Sequence, residues 1–452
     1  MRIADLAGQR VALWGYGREG RSTLAALRAR LPSLALTLFC SDAEAQTLDE
    51  RVSLSVVTAP PDSGALSAFD VVIKSPGISA YRPELLEAQH NGTRFTSGTA
   101  LWFAEKPDAR VIAVTGTKGK STVSALIAHF LRALGRRTAL AGNIGLPLLD
   151  LLDPPQSPDW WVVELSSFQT RAAPRVEIGV IVNLYEEHLD WHGTRERYAA
   201  DKLALADAAK TLIVNAAQTD ILARTATHAR RLVFGDRSGW HVEDGAIFCG
   251  SQRKLDVARL PLAGPHNALN VCAALTAIEA AGEDASSALA HVGGFKPLPH
   301  RLQVLGERDG FVWIDDSIAT TPQASLEALA SLAGPVTLLV GGHERGLDWR
   351  AFAEAVKQTP PYAIVTMGAN GARIHDVLVQ AGGGYRLESA ATLTQAVMRA
   401  RAITPSRGIM LLSPGAPSFD QFRDYAERGR AFAALAGFDP ESIGNIEGLG
   451  IA

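Results

Sequence analysis

The segment VTGTKGKST, from Val114 to Thr122, sets Gly116, Gly119, Lys120 and the hydroxyls of Ser121 and Thr122 between an apolar run and a stretch of good helix formers. Those residue types in that order suit a polyphosphate. Glycines let backbone N–H groups turn toward the phosphates, and a helix N-terminus adds partial positive charge. Lys120 adds a full charge, and the hydroxyls can ligate Mg²⁺. The spacing GxxxxGK[ST] would put its first glycine at the position of Val114. Here it falls at Gly116, so the match is to a shorter form, GTxGKS. Gly116, Thr117, Lys118, Gly119, Lys120, Ser121 and Thr122 are therefore expected to hold ATP or GTP.

Downstream residues could complete such a site. Glu164 closes the run WWVVE, where a carboxylate would reach phosphate-bound Mg²⁺ from the C-terminal edge of a sheet; the plainer reading is a solvated strand-end charge. His188 and His192 stand four apart in NLYEEHLDWHG, as zinc ligands on one helix face do. No third ligand recurs at suitable spacing, which favours a single His188 beside phosphates and Mg²⁺. Lys202, in RYAADKLAL, reads by itself as an ordinary lysine on a helix. Upstream, GYGREG (Gly15, Gly17, Gly20) follows a predicted strand and has dinucleotide-fingerprint spacing. The acid expected near the end of the next strand is not clearly placed, since Ser41 and Asp42 come late. A dinucleotide site, a site for another nucleotide diphosphate and a plain tight turn all remain open on this stretch.

The elements that must position these residues fall into three α/β blocks. Val11 to Trp14 predicts a buried strand and Ser22 to Arg30 a helix, with further strands at LALTLFC and DVVIKSPGIS. A boundary is expected where FAEKPDAR precedes VIAVTG. The second block has strands at VIAVTG, WWVVELSS, IGVIVN and TLIVNA, separated by helical stretches, the pattern of a mostly parallel sheet. GGFKPLPHR reads as a linker, and VTLLVGG, YAIVTMG and GIMLLSPG mark the third block. The expected domains are 1–107, 108–297 and 298–452. With 47% hydrophobic and 20% charged residues, a net charge of −3 and no long basic run, the chain is expected to be soluble and not to bind nucleic acid. Cys40, Cys249 and Cys272 show no CxxC pairing, which fits a reducing cytoplasm. No signal core or membrane-length apolar run is present, so a cytoplasmic protein without membrane attachment is expected.

Taken in order, GTKGKST, GNIG (Gly142 to Gly145), ELSSFQ, NLYEEHLDWHG, the lysine of RYAADKLAL, GPHNALN, PHR and DDS resemble the Mur ligase family of ATP-dependent amide-bond-forming enzymes, over essentially the whole chain. GYGREG combined with KSPGI (Lys74 to Ile78) is similar to the glutamate-adding members, which act on UDP-N-acetylmuramoyl-L-alanine. The resemblance implies a Rossmann-like UDP-binding domain, a central P-loop ATPase-type parallel-sheet domain and a C-terminal Rossmann-like domain. It implies that Lys120 holds the β- and γ-phosphates and that Ser121 or Thr122, Glu164 and His188 serve two Mg²⁺ ions. Lys202 would be carbamylated by CO₂ into a further metal ligand. Asn267 and Asn270 would lie near adenine, and Arg301 and Asp316 would close onto ATP. Arg18, Glu19, Gly20, Ser75, Pro76, Gly77, Asn143, Ser166 and Gln169 would cradle the UDP-linked substrate. Glu187 replaces the family's frequent aspartate before the histidine, a change expected to matter little.

A second departure lies in WIDDSIATT. The D-glutamate-adding relatives have a lysine where this chain has Ile318, and a further pocket lysine corresponds to Arg345, while Tyr425 takes an aromatic position. Thr320 and Ser418 match. Losing one ammonium and exchanging another for a guanidinium changes the charge and geometry offered to a dicarboxylate. The resemblance thus favours an L-glutamate-adding variant, a monomer whose product a separate epimerase would invert. The alternatives are the ordinary D-glutamate enzyme and a folylpolyglutamate-type ligase, against which the SPGI-bearing first domain speaks.

Overall fold

The computed structural model describes the chain except residues 49–53, 186–188, 263, 445 and 447. Its contacts form two compact units: Met1–Leu260 with His266–Phe295 and Gly448–Ala452, and Pro261–Pro265 with Lys296–Glu447.

The first unit contains two parallel sheets. Strands β1 (Val11–Trp14), β2 (Leu36–Phe39), β3 (Ser55–Val57), β4 (Val71–Lys74) and β5 (Arg94–Thr96) lie in the order β3-β2-β1-β4-β5. Every residue of β1 is buried because both faces are covered: Val11 and Leu13 join one core cluster, Ala12 and Trp14 another. The strand order reverses between β1 and β4, which opens a crevice beyond their C-terminal ends. The helix after β1 runs Arg18–Arg30, one turn earlier than its apolar periodicity predicts, because Gly17 serves as its N-cap.

The second sheet contains β6 (Val111–Thr115), β7 (Thr138–Gly142), β8 (Trp160–Glu164), β9 (Val176–Ile181), β10 (Ala209–Asn215) and β11 (Arg231–Phe234), ordered β11-β10-β9-β6-β8-β7. Four of these are the runs expected from sequence. The strand Gly450–Ile451 pairs antiparallel with β7, although it lies far along the chain. A small antiparallel sheet, β12 (Trp240–Glu243), β13 (Ala246–Cys249) and β14 (Gln252–Asp256), was not expected. Its first hairpin turns at Asp244–Gly245, both with positive φ (45° and 70°).

The other unit has one sheet, β15 (Gln303–Arg308), β16 (Phe311–Asp315), β17 (Val336–Val340), β18 (Ala363–Thr366), β19 (Arg386–Ser389) and β20 (Ile409–Leu412), ordered β15-β16-β20-β17-β18-β19 with β15 antiparallel. Leu339, Val365 and Met410 pack on one face, and Leu338, Ile364 and Leu411 on the other. Among the described residues no helix is long and apolar enough to cross a membrane.

Candidate functional site

The phosphate loop follows β6 and ends at the helix Lys120–Ala133. Gly119, its N-cap, has φ of 78°, and a Cβ there would lie 2.7 Å from Asn270 Oδ1. Asn270 in turn donates to Asn267 Oδ1 at 3.0 Å, which links the other asparagine of GPHNALN to the one that meets the loop. The loop is fastened from β9's end by Asn183, whose Oδ1 accepts the N–H groups of Thr117 (3.0 Å) and Lys118 (2.8 Å). Its Nδ2 donates to Lys118 O at 3.1 Å. Sequence reasoning did not single out Asn183; its place at the end of a buried strand beside the loop was the available signal. Lys120 Nζ donates to Thr117 O (2.9 Å), and Lys202 Nζ reaches Gly116 O (2.7 Å). Lys202 is therefore not the surface lysine its local sequence suggests; it is 2% exposed and touches the loop.

Glu164 is 1% exposed. Its Oε1 accepts from Asn143 Nδ2 at 2.9 Å, and its buried Oε2 has no hydrogen-bond partner among the described residues. An orphaned buried carboxylate oxygen is costly unless a cation satisfies it, so Glu164 fits a ligand to a divalent metal. Ser121 is buried within the first turn of the loop's helix. His188 lies outside the described residues. Among them, no group of three His, Cys, Asp or Glu side chains forms a separate metal cluster.

Within the same unit, a cleft of about 680 Å³ opens at the crevice of the first sheet. Gly15, Arg18, Glu19, Ser75, Pro76 and Gly77 line it from one side, and Asn143 and Gln169 from the other. Gly20 is buried and does not line it; a Cβ there would sit 2.1 Å from Gly15 O, so this glycine permits the turn. Ser75 Oγ closes that turn on Gly15 O at 3.1 Å, and Arg18 Nη1 donates to Gly145 O at 3.0 Å. Ser166 Oγ donates to Gln169 Oε1 (2.8 Å), and Gln169 Nε2 to Thr99 (3.1 Å). Burial, with Asp150 nearby, lifts the Glu19 carboxyl to about 7. Glu44 was not singled out from sequence. It lines the cleft and accepts from Tyr16 N–H at 3.1 Å and Ser41 N–H at 2.9 Å.

The amino-acid residues expected from sequence gather at the C-terminal edge of the other unit's sheet, after β16, β17 and β20. Ile318 N–H donates to His300 O at 3.3 Å, and the Tyr425 and His300 rings meet edge to face at 5.8 Å. Ser317 Oγ donates to Tyr425 O at 2.7 Å. Thr320 is half-buried beyond the same turn, and Arg345 is exposed on the loop after β17. Ser418 is buried, and the neighbouring Pro417 O accepts from His343 N–H at 2.8 Å. Asp316 accepts from Ser413 Oγ (2.7 Å) and Leu302 N–H (3.2 Å), next to the loop bearing Arg301. Arg428, which sequence reasoning passed over, is 1% exposed and grips Ser317 through Nε and Nη2 at 3.0 and 2.8 Å. Burial lowers its pKa to about 10.

Residues 114–278 match the model of the Mur ligase middle domain, and residues 300–415 that of the Mur ligase glutamate ligase domain. A protein of Xanthomonas euvesicatoria pv. vesicatoria named UDP-N-acetylmuramoyl-L-alanine–L-glutamate ligase is 50% identical, with all of both chains covered. One of the same name from Micromonospora sp. is 38% identical over 96% of this chain and 97% of its own. The chain belongs to the Mur ligase family. Mur ligases are ATP-dependent amide-bond-forming enzymes that use Mg²⁺, and the chain is such a ligase of cell-wall biogenesis. Its fold is that of two Mur ligases from Thermotoga maritima. The UDP-N-acetylmuramate–alanine ligase superposes with a TM-score of 0.60 at 18% identity, covering 94% of this chain and 98% of its own. The MurF ligase in complex with ADP gives 0.58 at 15%, covering 96% and 95%. The three-domain α/β architecture expected from sequence is thus the Mur ligase fold.

Proposed function

We propose that the chain joins L-glutamate to UDP-N-acetylmuramoyl-L-alanine at the expense of ATP, a cytoplasmic step in making a peptidoglycan precursor, and that its domains divide near residues 107 and 297. The observation that carries the reading is Asn143. It lines the 680 Å³ cleft and donates to Glu164 at 2.9 Å, so the cleft's inner end adjoins the carboxylate beside the phosphate loop. A nucleotide-linked acid seated on the glycine turn and on Ser75–Gly77 would present its carboxylate there.

In this reading the alanyl carboxylate takes the γ-phosphoryl group of ATP and ADP is released. The glutamate amine then attacks the acyl phosphate, inorganic phosphate leaves, and the nitrogen loses a proton. Two bound Mg²⁺ ions would supply charge neutralisation for the transferring group. Lys120 orients the phosphates, and Ser121, Thr122, Glu164 and His188 hold the metals. Carbamylation of Lys202, in which Nζ adds CO₂ and gives up a proton, would turn a buried cation into a carboxylate-like ligand. Asn267, Asn270, Arg301 and Asp316 serve ATP. Ile318, Thr320, Arg345, Ser418 and Tyr425 read the amino acid, and Ile318 excludes the ammonium that a D-glutamate pocket would use. A monomer suffices, with an epimerase acting on the product.

The test is phosphate release from ATP with UDP-N-acetylmuramoyl-L-alanine and either glutamate enantiomer, with product mass measured. Turnover with L-glutamate alone is expected. Turnover with D-glutamate alone, or equally with both, overturns the stereochemical part; no turnover with either overturns the substrate.

A further inference from the structure

His192 has no part in the scheme above, yet it lies close to that scheme's residues and is fully enclosed, at 0% exposure. Its Nδ1 lies 2.7 Å from Asp201 Oδ2 and its Nε2 lies 3.0 Å from Ser167 Oγ. A carboxylate only accepts, so Nδ1 carries the proton, and in the neutral ring Nε2 accepts from Ser167. Serine, histidine and aspartate at these distances resemble a nucleophilic triad. Ser167 is only 4% exposed, however, so no carbonyl can approach its oxygen. The arrangement is built to hold, not to attack.

Asp201 is the hub of what it holds. Its carboxylate, on a residue 2% exposed, also accepts from Tyr81 OH (2.9 Å to each oxygen) and from Arg171 Nε. Its backbone oxygen accepts from Thr170 Oγ1 at 2.5 Å. Three residues of this neighbourhood adjoin groups that the proposed ligation needs. Tyr81 follows Ser75–Gly77 of the cleft, and Ser167 sits between Ser166 and Gln169. Lys202, which touches the phosphate loop, is the next residue after Asp201. Trp191 reinforces the junction: its Nε1 donates to Pro76 O at 3.0 Å, its backbone oxygen accepts from Ser79 Oγ, and its ring stacks on Phe168 at 4.5 Å.

We propose that His192, held between Ser167 and Asp201, is a positioning residue for ligation, keeping the 75–81 loop, the 166–169 loop and Lys202 in one register. Without it the nucleotide-linked acid and the nucleotide on the phosphate loop stay bound but misaligned. A misplacement of about 1 Å costs up to roughly 100-fold in rate, so the effect falls on kcat more than on binding. The proposal rests on the substrate reading given above.

The test compares S167A, which removes only the Nε2 contact, with H192N, which keeps a donor toward Asp201. Both are assayed for phosphate release with saturating ATP and UDP-N-acetylmuramoyl-L-alanine, alongside thermal unfolding. The expected result is a fall in kcat of roughly 10- to 100-fold in both folded variants, with KM for ATP within about threefold of the parent. The double variant should be no slower than H192N, since both changes break one contact. Unchanged kcat in folded S167A and H192N overturns the proposal, as does a loss confined to Tm. If the parent chain itself gives no turnover, the substrate reading fails instead. Amide exchange then decides positioning by itself: faster exchange at 166–170 and 75–81 in H192N supports it, and an unchanged pattern overturns it.

Discussion

Asp316 shows how one carboxylate in the unit Lys296–Glu447 can be tuned by its surroundings. Two hydrogen bonds, from Ser413 Oγ and Leu302 N–H, favour its charged form, and Arg301 helps, but burial outweighs them and lifts its pKa from 3.8 to about 7. The folded chain therefore keeps a proton that the unfolded chain releases near 3.8, and between those values stability falls as pH rises. The loss is at most roughly 1.4 kcal/mol per pH unit. D316N has no proton to lose and can still accept from Leu302 N–H while donating to Ser413. The urea transition of the unit Lys296–Glu447 should show D316N gaining on the parent by about 2 to 3 kcal/mol between pH 5 and pH 8. A constant difference between the two across that range would show that Asp316 is ionised throughout in the folded chain.

At the scale of elements, the strand Gly450–Ile451 closes the β7 edge of the second sheet. Thr138 N–H donates to Ala452 O at 2.7 Å, and Arg132 reaches Gly448 O (2.7 Å) and Gly450 O (3.0 Å). Each such bond contributes about 0.5 to 1.5 kcal/mol net. Deleting residues 448–452 should lower Tm by a few degrees and leave β7 exposed as an edge, so light scattering on heating should rise. R132A should reproduce the fall in Tm with the tail still present. An unchanged Tm in both would mean that the tail does not dock. This strand also marks where sequence stopped being legible. Long apolar runs such as VIAVTG announce buried parallel strands because both faces must be apolar, and the phosphate loop announces itself by glycine spacing. A two-residue strand has no period to read, and its partner lies far back along the chain. The small sheet after Phe234 alternates weakly, and only Asp244–Gly245 signalled its hairpin. Among site residues, those in motifs could be named in advance. Glu44 and Arg428 could not, and Asn183 and His192, although inside NLYEEHLDWHG, could not be given their contacts, because those come from what tertiary packing sets beside them.

For the molecule as a whole, the decisive feature is that each unit carries cores of its own. Val111 and Ala113 of β6 pack in a cluster of the first unit, while Trp313 and Trp349, at 0% and 1% exposure, anchor two clusters of the other. A chain of this kind departs from two-state unfolding. Calorimetry is expected to resolve two transitions, and Trp313 and Trp349 substituted by Phe identify the one belonging to residues 296–447 by its altered Tm. ADP should then separate them further. The phosphate loop, Asn267 and Asn270 all lie in the first unit, so a ligand held there at a hundred times its Kd stabilises that unit by about 2.7 kcal/mol. Its transition should move up with ADP concentration while the other moves little, and K120A should abolish the response without shifting the unliganded Tm by more than a degree or two. A single transition that rises as one with ADP would instead mean that the units unfold cooperatively. A rise confined to the transition sensed by W313F and W349F would place the nucleotide on residues 296–447.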